Sequence, residues 1–512
     1  MGNIPGPPCK SFVYGNLEDL LGLDSWPFHD YLEENFPGIA RLRGPFGSDV
    51  LYVSQPGALH HILVKDQYIY ETARFFLRTH ELVLGKGLFA TLGEHHRKQR
   101  KLLNPVFSSK HLRNMVPTFY DIGRLAMESQ LQAGAAELDV AEWSGRAALE
   151  IMGQAGLGYS FDPLVDERPN QYTDAFKMVT YAIGRAAIPR RLLPYLPNIR
   201  FGGIGHALLT LVPHDGVRQL LDISDTLWGC STTVYNEKKQ ALQKGDAVVA
   251  QQVGEGKDIM SILLRANMEA SEDDKLEEEE LIGQMSTLLL AAVDSTSNTL
   301  SMILELLAKH PEAQEKLRAE ILQAGADQDL DFDTLMGLPY LEAVCRETLR
   351  VYAPLNQVFR EARKDVVLPL AEPIRGLDGQ MIHEIFVPKN TTVVAGLHNC
   401  NRNKALWGPD AYEWKPERWL SPLPTAVTEA KIPGIYANLM SFLGGGRACI
   451  GYKFAQIEMK VLLSLLLSRF TFESSDEPIV WKMGGVRYPS VARSGDHKAS
   501  LPMKVRLYRI VE

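Results

Sequence analysis

The stretch Phe442-Leu443-Gly444-Gly445-Gly446-Arg447-Ala448-Cys449-Ile450-Gly451 constrains this chain more than any other. Its glycines permit a tight turn whose backbone amides approach a sulfur closely. A helix-forming run follows, with Phe454, Ala455, Ile457 and Met459 at helical spacing. Cys449 therefore falls near a helix N-terminus, where N–H groups and the helix dipole favour a thiolate. Arg447 adds a cation two residues away. A lone cysteine is most often a small buried hydrophobe. A turn, a cation and a helix gathered on one cysteine point instead to a sulfur ligand.

The rest of the composition leaves room for such a centre. The chain has 512 residues, of which 45% are hydrophobic and 23% charged, enough for a core that encloses a cofactor and a substrate. Length alone would suggest about three domains at roughly 150 residues each. No linker separates them, so the expectation is a proline-rich hinge and N-terminal segment over 1–30 and a single catalytic domain over 31–512. A net charge of −8 gives no case for nucleic acid. The five cysteines are odd in number, scattered and without a CxxC pair, which argues against a disulfide framework and a structural zinc site. That usage fits a reducing, cytosol-facing environment. No apolar run approaches the ~18 residues that span a bilayer. Ile4-Pro5-Gly6-Pro7-Pro8 is stiff and turn-forming, with no signal-peptide core. Gly6 breaks the myristoylation pattern that Met1-Gly2 would open.

Periodicity predicts an α+β chain that is mostly α. Ile39 to Leu42 and Val50 to Val53 read as strands around Gly44-Pro45-Phe46-Gly47, and Met503, Val505 and Leu507 alternate in a closing strand. From about Ala58 to residue 320 the pattern is helical. Its longest stretch, Leu276 to Lys309, is ~30 residues or about 45 Å, opened by the acidic run Glu277 to Glu280 that complements the helix dipole. The loop Ile188 to Gly205 is rich in Pro, Gly and apolar residues. It reads either as a packed loop or as a mobile, lipid-touching lid.

Three further patterns are ambiguous alone. Glu347 and Arg350 share a helix face at i,i+3, and such pairs are commonly solvated. Val351-Tyr352-Ala353-Pro354 stops that helix, and Pro416-Glu417-Arg418-Trp419 follows ~70 residues later. Ala291-Ala292-Val293-Asp294-Ser295-Thr296 sets small residues beside an acid and two hydroxyls in the long helix. This is a polar stripe, or a close approach for a flat ligand with a proton relay. Gly93-Glu94-His95-His96-Arg97-Lys98-Gln99-Arg100-Lys101 is a basic stretch of the kind that usually faces solvent.

Together these patterns resemble the cytochrome P450 family across nearly the whole chain. The Cys449 turn is similar to the family's FxxGxRxCxG signature, with Phe442 and Arg447 in place. Glu347, Arg350 and Arg418 match its ExxR and PERF segments, with Trp419 where the family has Phe. The stretch Ala291 to Thr296 resembles AGxDT, with Ala292 at a small position, Asp294 as the acid and Ser295 as the alcohol. Serine lacks the methyl that fixes threonine's rotamer, and Thr296 is a second candidate for the hydroxyl. The basic stretch resembles WxxxR, with His96 in the Trp position, Arg100 as the Arg and His95 as a rival to His96. The resemblance implies haem b with Cys449 as axial iron ligand. It also implies propionate contacts from His96, Arg100 and Arg360. The order of motifs, and the approach Lys389–Leu420, look like a eukaryotic microsomal member, with a fungal source in view.

The fold so implied is the triangular helical prism with a small β-rich region. The function is insertion of one oxygen atom from O2 into an apolar organic substrate, with NADPH electrons arriving through a reductase and cytochrome b5 as a second donor. A peroxide-using or peroxide-rearranging haem-thiolate enzyme is one alternative, and the Asp294-Ser295 relay counts against it. A non-enzymatic haem ligand sensor is the other. Candidate pocket residues are Phe75, Phe76, Leu288, Leu289, Ala292, Leu355 and Val358; each reads equally as plain core, which about half are expected to be. Lys98, Lys101, Lys453 and Lys460 are expected on a basic face that docks the reductase. The resemblance further implies a monomer at the cytoplasmic face of the endoplasmic reticulum membrane, whose usual anchor precedes a hinge like this one.

Overall fold

The computed structural model describes every residue except 133–136, 162–163, 165–170, 187–188, 201, 246–252, 327, 494–497 and 509–512. Residues 188 and 201, part of the apolar loop noted above, lie outside the described residues. By contact the chain divides into two compact units, described in turn.

The first unit comprises Met1–Leu77, Arg346–Cys449 and Trp481–Arg487. The two early strands form as their alternation predicts, Ile39–Arg43 pairing antiparallel with Asp49–Val53. Between them Pro45–Gly47 is a short 3-10 turn. Thr392–Gly396, Gln357–Ala362 and Tyr70–Thr72 complete a five-stranded sheet in that order. The Asp49–Val53 to Thr392–Gly396 pairing is parallel and the rest are antiparallel. Leu42, Val50, Phe75, Phe359 and Val394 pack a core on this sheet with Leu17, Leu20 and Leu32 from the N-terminal helices. The proline-rich start is docked here, since Arg41 N–H donates to the Pro5 carbonyl at 2.9 Å and Ile4 is buried.

The second unit comprises Arg78–Cys345, Ile450–Val480 and Tyr488–Glu512 and is mostly helical. Its axis is the 32-residue helix Glu278–Lys309. Glu277 caps it in a capping box with Glu280, and two more acidic residues, Glu278 and Glu279, stand in the first turn. Lys309 closes it by pairing back to Glu305 at 2.7 Å, and Pro311 starts the next helix. This helix is long and apolar enough to cross a membrane, but the relevant window is 72% buried, as a core helix would be. Helix Tyr452–Arg469 follows the cysteine turn and is nearly all buried along its inner turns. A small sheet, in the order Glu137–Asp139, Pro502–Leu507, Phe470–Ser474, includes the expected closing strand. Mostly helical with small sheets, the protein has the expected fold class.

Candidate active site

The cysteine turn lies in the first unit and is fixed by close backbone packing. Gly445 sits at φ +69, and a Cβ there would lie 1.9 Å from the Leu63 carbonyl oxygen. A Cβ on Gly444 would meet the Pro433 carbonyl oxygen at 1.8 Å. Only glycine fits either position. The turn closes as Cys449 N–H donates to the Phe442 carbonyl at 2.9 Å and Ala448 N–H to the Gly445 carbonyl at 3.1 Å. Gln67 accepts from Gly446 N–H at 2.6 Å. Cys449 is exposed, whereas Cys345 and Cys400 are buried and burial pushes the Cys400 thiol far up. A small accessible thiol in a rigid turn is what a ligating cysteine needs, and the two buried ones are inert by comparison.

Glu347, Arg350 and Arg418 meet, and they do so out of solvent. The Arg350 Nε and Nη2 donate to the two Glu347 oxygens, both at 2.8 Å, and both side chains are fully buried. The remaining Arg350 donors reach the carbonyls of Asn401 (3.2 Å), Ala411 (2.6 Å) and Glu413 (3.1 Å), so all five N–H groups are used. Glu347 also accepts from Lys415 N–H at 3.0 Å and from Arg418 Nε at 3.4 Å. The solvated-pair alternative is thus excluded. The tie continues to the cysteine turn. Asn401 Nδ2 donates to Ser441 Oγ at 2.9 Å, its Oδ1 accepts from Met440 N–H at 2.7 Å, and Ser441 Oγ donates to the Leu349 carbonyl at 2.6 Å. The triad therefore holds the backbone that leads into Phe442.

Arg360 and Arg447 form a cationic pair in the same unit. Arg360 is buried, with its Nη1 on the Phe359 carbonyl at 3.1 Å. Burial, then the charge of Arg447, pulls it down to about 10, against the opposing pull of Glu71. Arg447 lies 3.5 Å from Glu71. Two neighbouring guanidinium groups with one carboxylate between them leave a local excess of positive charge, suited to an added carboxylate.

In the second unit the long helix changes character at its middle. It is buried through Leu289 and again from Thr296, yet Ala291 is exposed and Ala292, Asp294 and Ser295 are partly so. These small and polar residues face open space beside an otherwise buried helix. Ser295 Oγ donates to the Ala291 carbonyl at 2.6 Å, the back-bond expected of a helical hydroxyl. Thr296 is 3% exposed and sits on the packed side.

Helix Gly93–Leu103 carries His96 and Arg100 one turn apart, His96 buried and Arg100 half-buried. His95 faces elsewhere: its Nε2 meets Glu280 at 2.5 Å. Gln99 Nε2 bonds the same carboxylate at 2.7 Å and the Lys86 carbonyl at 2.9 Å, and Leu88 N–H donates to Gln284 at 3.1 Å. Gly283 lets this loop close, since a Cβ there would lie 2.7 Å from Gly87 N. The His96 helix is thereby clamped to the first turns of the long helix. Sequence reasoning missed this clamp, because Gln99 to Glu280 is a contact across 181 residues.

One expectation needs correction. Lys460 is fully buried, with its ammonium 2.8 Å from Glu342, so it belongs to the core and not to a docking face. Lys98 is half-buried, Lys101 is exposed and bonded to Asp274 at 2.9 Å, and Lys453 reaches Ser109 at 2.7 Å. Among the pocket residues, Phe75, Leu288 and Leu289 are core, Phe75 stacking edge-on to Phe359 at 5.5 Å. Phe76, Ala292, Leu355 and Val358 keep partial exposure.

A planar group with two carboxylates and a central iron needs a soft axial donor, cations for the carboxylates and small residues along one face. The first unit carries the soft donor and two cations, and the second carries a helix stretch of small residues and a further pair of nitrogen donors. Comparisons with known proteins agree. The cytochrome P450 family model matches residues 5–489. Cytochrome P450 monooxygenase 91 of Postia placenta is 50% identical over 99% of this chain and 94% of its own length. A ganoderic acid synthetase of Ganoderma lucidum is 45% identical over the same shares. In fold, a cytochrome P450 crystal structure matches at a TM-score of 0.74 with 22% identity, covering 99% of this chain and 100% of that one. The fungal relatives matched over 94% of their own length carry the name cytochrome P450 monooxygenase, and the chain belongs to the cytochrome P450 family.

Proposed function

We propose that Cys449 is the axial ligand of haem b and that the protein inserts one oxygen atom from O2 into an apolar organic substrate. The observation that carries this is the exposed Cys449 in a turn strapped by Gly444, Gly445 and the Asn401–Ser441 link. The thiolate-ligated haem supplies electron density that favours O–O cleavage, the established chemistry of this family. The protein's part is to hold and to feed that group. Arg360 and Arg447 bring positive charge for a propionate, and His96 with Arg100 offers a second pair of donors on one helix face. Ala292 keeps the helix surface low. Asp294 carries the relay proton and Ser295 passes it on, releasing its bond to the Ala291 carbonyl to do so. Thr296 is packed away, so the relay rests on Ser295.

P450 enzymes work with redox partners and apolar substrates. For this chain we assign electrons from NADPH through a reductase docking on exposed Lys101 and the half-buried Lys98 and Lys453, with cytochrome b5 as a second donor. The enzyme acts as a monomer on the cytoplasmic face of the endoplasmic reticulum. Leu192 and Tyr195 in the turn Pro189–Tyr195, with Ile204 and Leu211 beyond it, are largely exposed and support a lipid contact there.

The test is reconstitution with haem, reductase and NADPH, a panel of apolar compounds and mass spectrometry. Products one oxygen heavier, formed only with reductase and uncoupled in Ser295→Ala, are expected. Turnover with peroxide alone, indifferent to Ser295, would overturn the reading.

A further inference from the structure

Arg487 opens the strand Arg487–Val491, anchored by its N–H to the Pro354 carbonyl at 2.8 Å. Its side chain is 6% exposed, yet no hydrogen bond to it occurs among the described residues. Nε and Nη2 are both buried without an acceptor. These two atoms are the same fork with which Arg350 grips both oxygens of Glu347. In Arg350 the fork is filled by the protein; in Arg487 it is presented bare. A buried donor left unmade is destabilising, more so when it is charged, so a fork of this kind calls for an acceptor.

The surroundings define what that acceptor is. The guanidinium lies 3.6 Å over the Trp26 ring and 5.3 Å from the Tyr352 ring, so aromatic rings pack on it without supplying an acceptor for Nε and Nη2. His398 packs on Trp26 at 5.3 Å and is 2% exposed. Its Nε2 is engaged by Arg402, which leaves Nδ1 as a second buried donor without a partner. Asp30, an acid whose charge acts on Arg487, is bonded to Arg402 at 3.0 Å. Burial, then Arg402, lowers Arg487 to about 9, so it remains a cation at neutral pH.

We propose that Arg487, with His398 beside it, forms a buried binding site for a carboxylate. The carboxylate takes the Nε–Nη2 fork in two parallel hydrogen bonds, flanked by Trp26 and Tyr352. It belongs either to a small free acid or to the polar end of a longer apolar ligand. The second case would add one charge anchor to a pocket expected to be apolar.

The test is isothermal titration calorimetry on the haem-loaded protein with formate, decanoate and decanol as probes. It is run on wild type, Arg487→Met and Arg487→Lys. Decanoate should bind wild type and lose tenfold or more in Arg487→Met, and severalfold in Arg487→Lys, which keeps charge but not the fork. Decanol should be indifferent to both substitutions. Formate binding with the same dependence assigns the site to free acids; decanoate binding alone assigns it to a ligand's polar end. Equal decanoate affinity in all three proteins, or no carboxylate binding to wild type, overturns the proposal. The readout needs no turnover, so it stands apart from the oxygenase test.

Discussion

The Glu347–Arg350–Arg418 cluster makes a quantitative prediction because its hydrogen bonds can be counted. Arg350→Lys keeps a cation but gives up the two-pronged grip on Glu347 and cannot serve three carbonyls as well. Breaking a buried pair costs ~3–5 kcal/mol, and the lysine charge recovers part of that, so about 3 kcal/mol is expected. Trp419→Phe removes one donor, the indole N–H that lies 2.9 Å from Glu347. That oxygen keeps its Arg350 bond, so the loss sits at the low end for a bond to a charged group, about 1.5 kcal/mol. Urea-induced loss of far-UV dichroism on the haem-loaded protein measures both. Arg350→Lys should lower the midpoint clearly more than Trp419→Phe, and should also weaken haem retention through Asn401 and Ser441. An Arg350→Lys midpoint no lower than that of Trp419→Phe would refute the counting argument.

Further outcomes follow from the same geometry. Ser295→Ala should leave haem incorporation intact while lowering product formed per NADPH consumed, measured by parallel product and cofactor assays. Lys98→Glu with Lys453→Glu should slow reduction by the reductase at low salt, and the difference should shrink as ionic strength rises, in stopped-flow experiments. Burial raises the Glu33 carboxyl to about 7. A carboxyl raised in the folded state contributes stability at low pH that is lost as pH climbs from about 4.5 through 7, about 3 kcal/mol in all. Glu33→Gln should therefore flatten the fall in urea midpoint between pH 5 and pH 8; an unchanged slope would contradict this.

The features legible in the sequence are those written locally. The glycine turn before Cys449, the acidic cap of the long helix and the two early strands each follow from neighbouring residues. The i,i+3 spacing put Glu347 and Arg350 on one face, but not their depth. Burial depends on Asn401, Ala411 and Glu413, whose carbonyls come from 51 to 63 residues away. Lys460 shows the reverse error. It sits on the cysteine helix, but the charge that decides its environment, Glu342, comes from another helix. Phe75 reads equally as pocket lining or core in the sequence, and only its contact with Phe359, far along the chain, decides for core. Trp419 stands where the family has Phe, and its indole bond to Glu347 gives it a role that phenylalanine cannot fill. Arg487 carried no signal at all, because a missing partner is visible only when the surroundings are known.

The central claim is that Cys449, alone among the five cysteines, ligates the haem iron. The direct measurement is the absorption and magnetic dichroism of the reconstituted wild type beside Cys449→Ser, Cys345→Ala and Cys400→Ala. The thiolate signature should vanish only in Cys449→Ser. Its survival in Cys449→Ser, or its loss in a Cys345→Ala or Cys400→Ala protein that still folds and binds haem, would contradict the account.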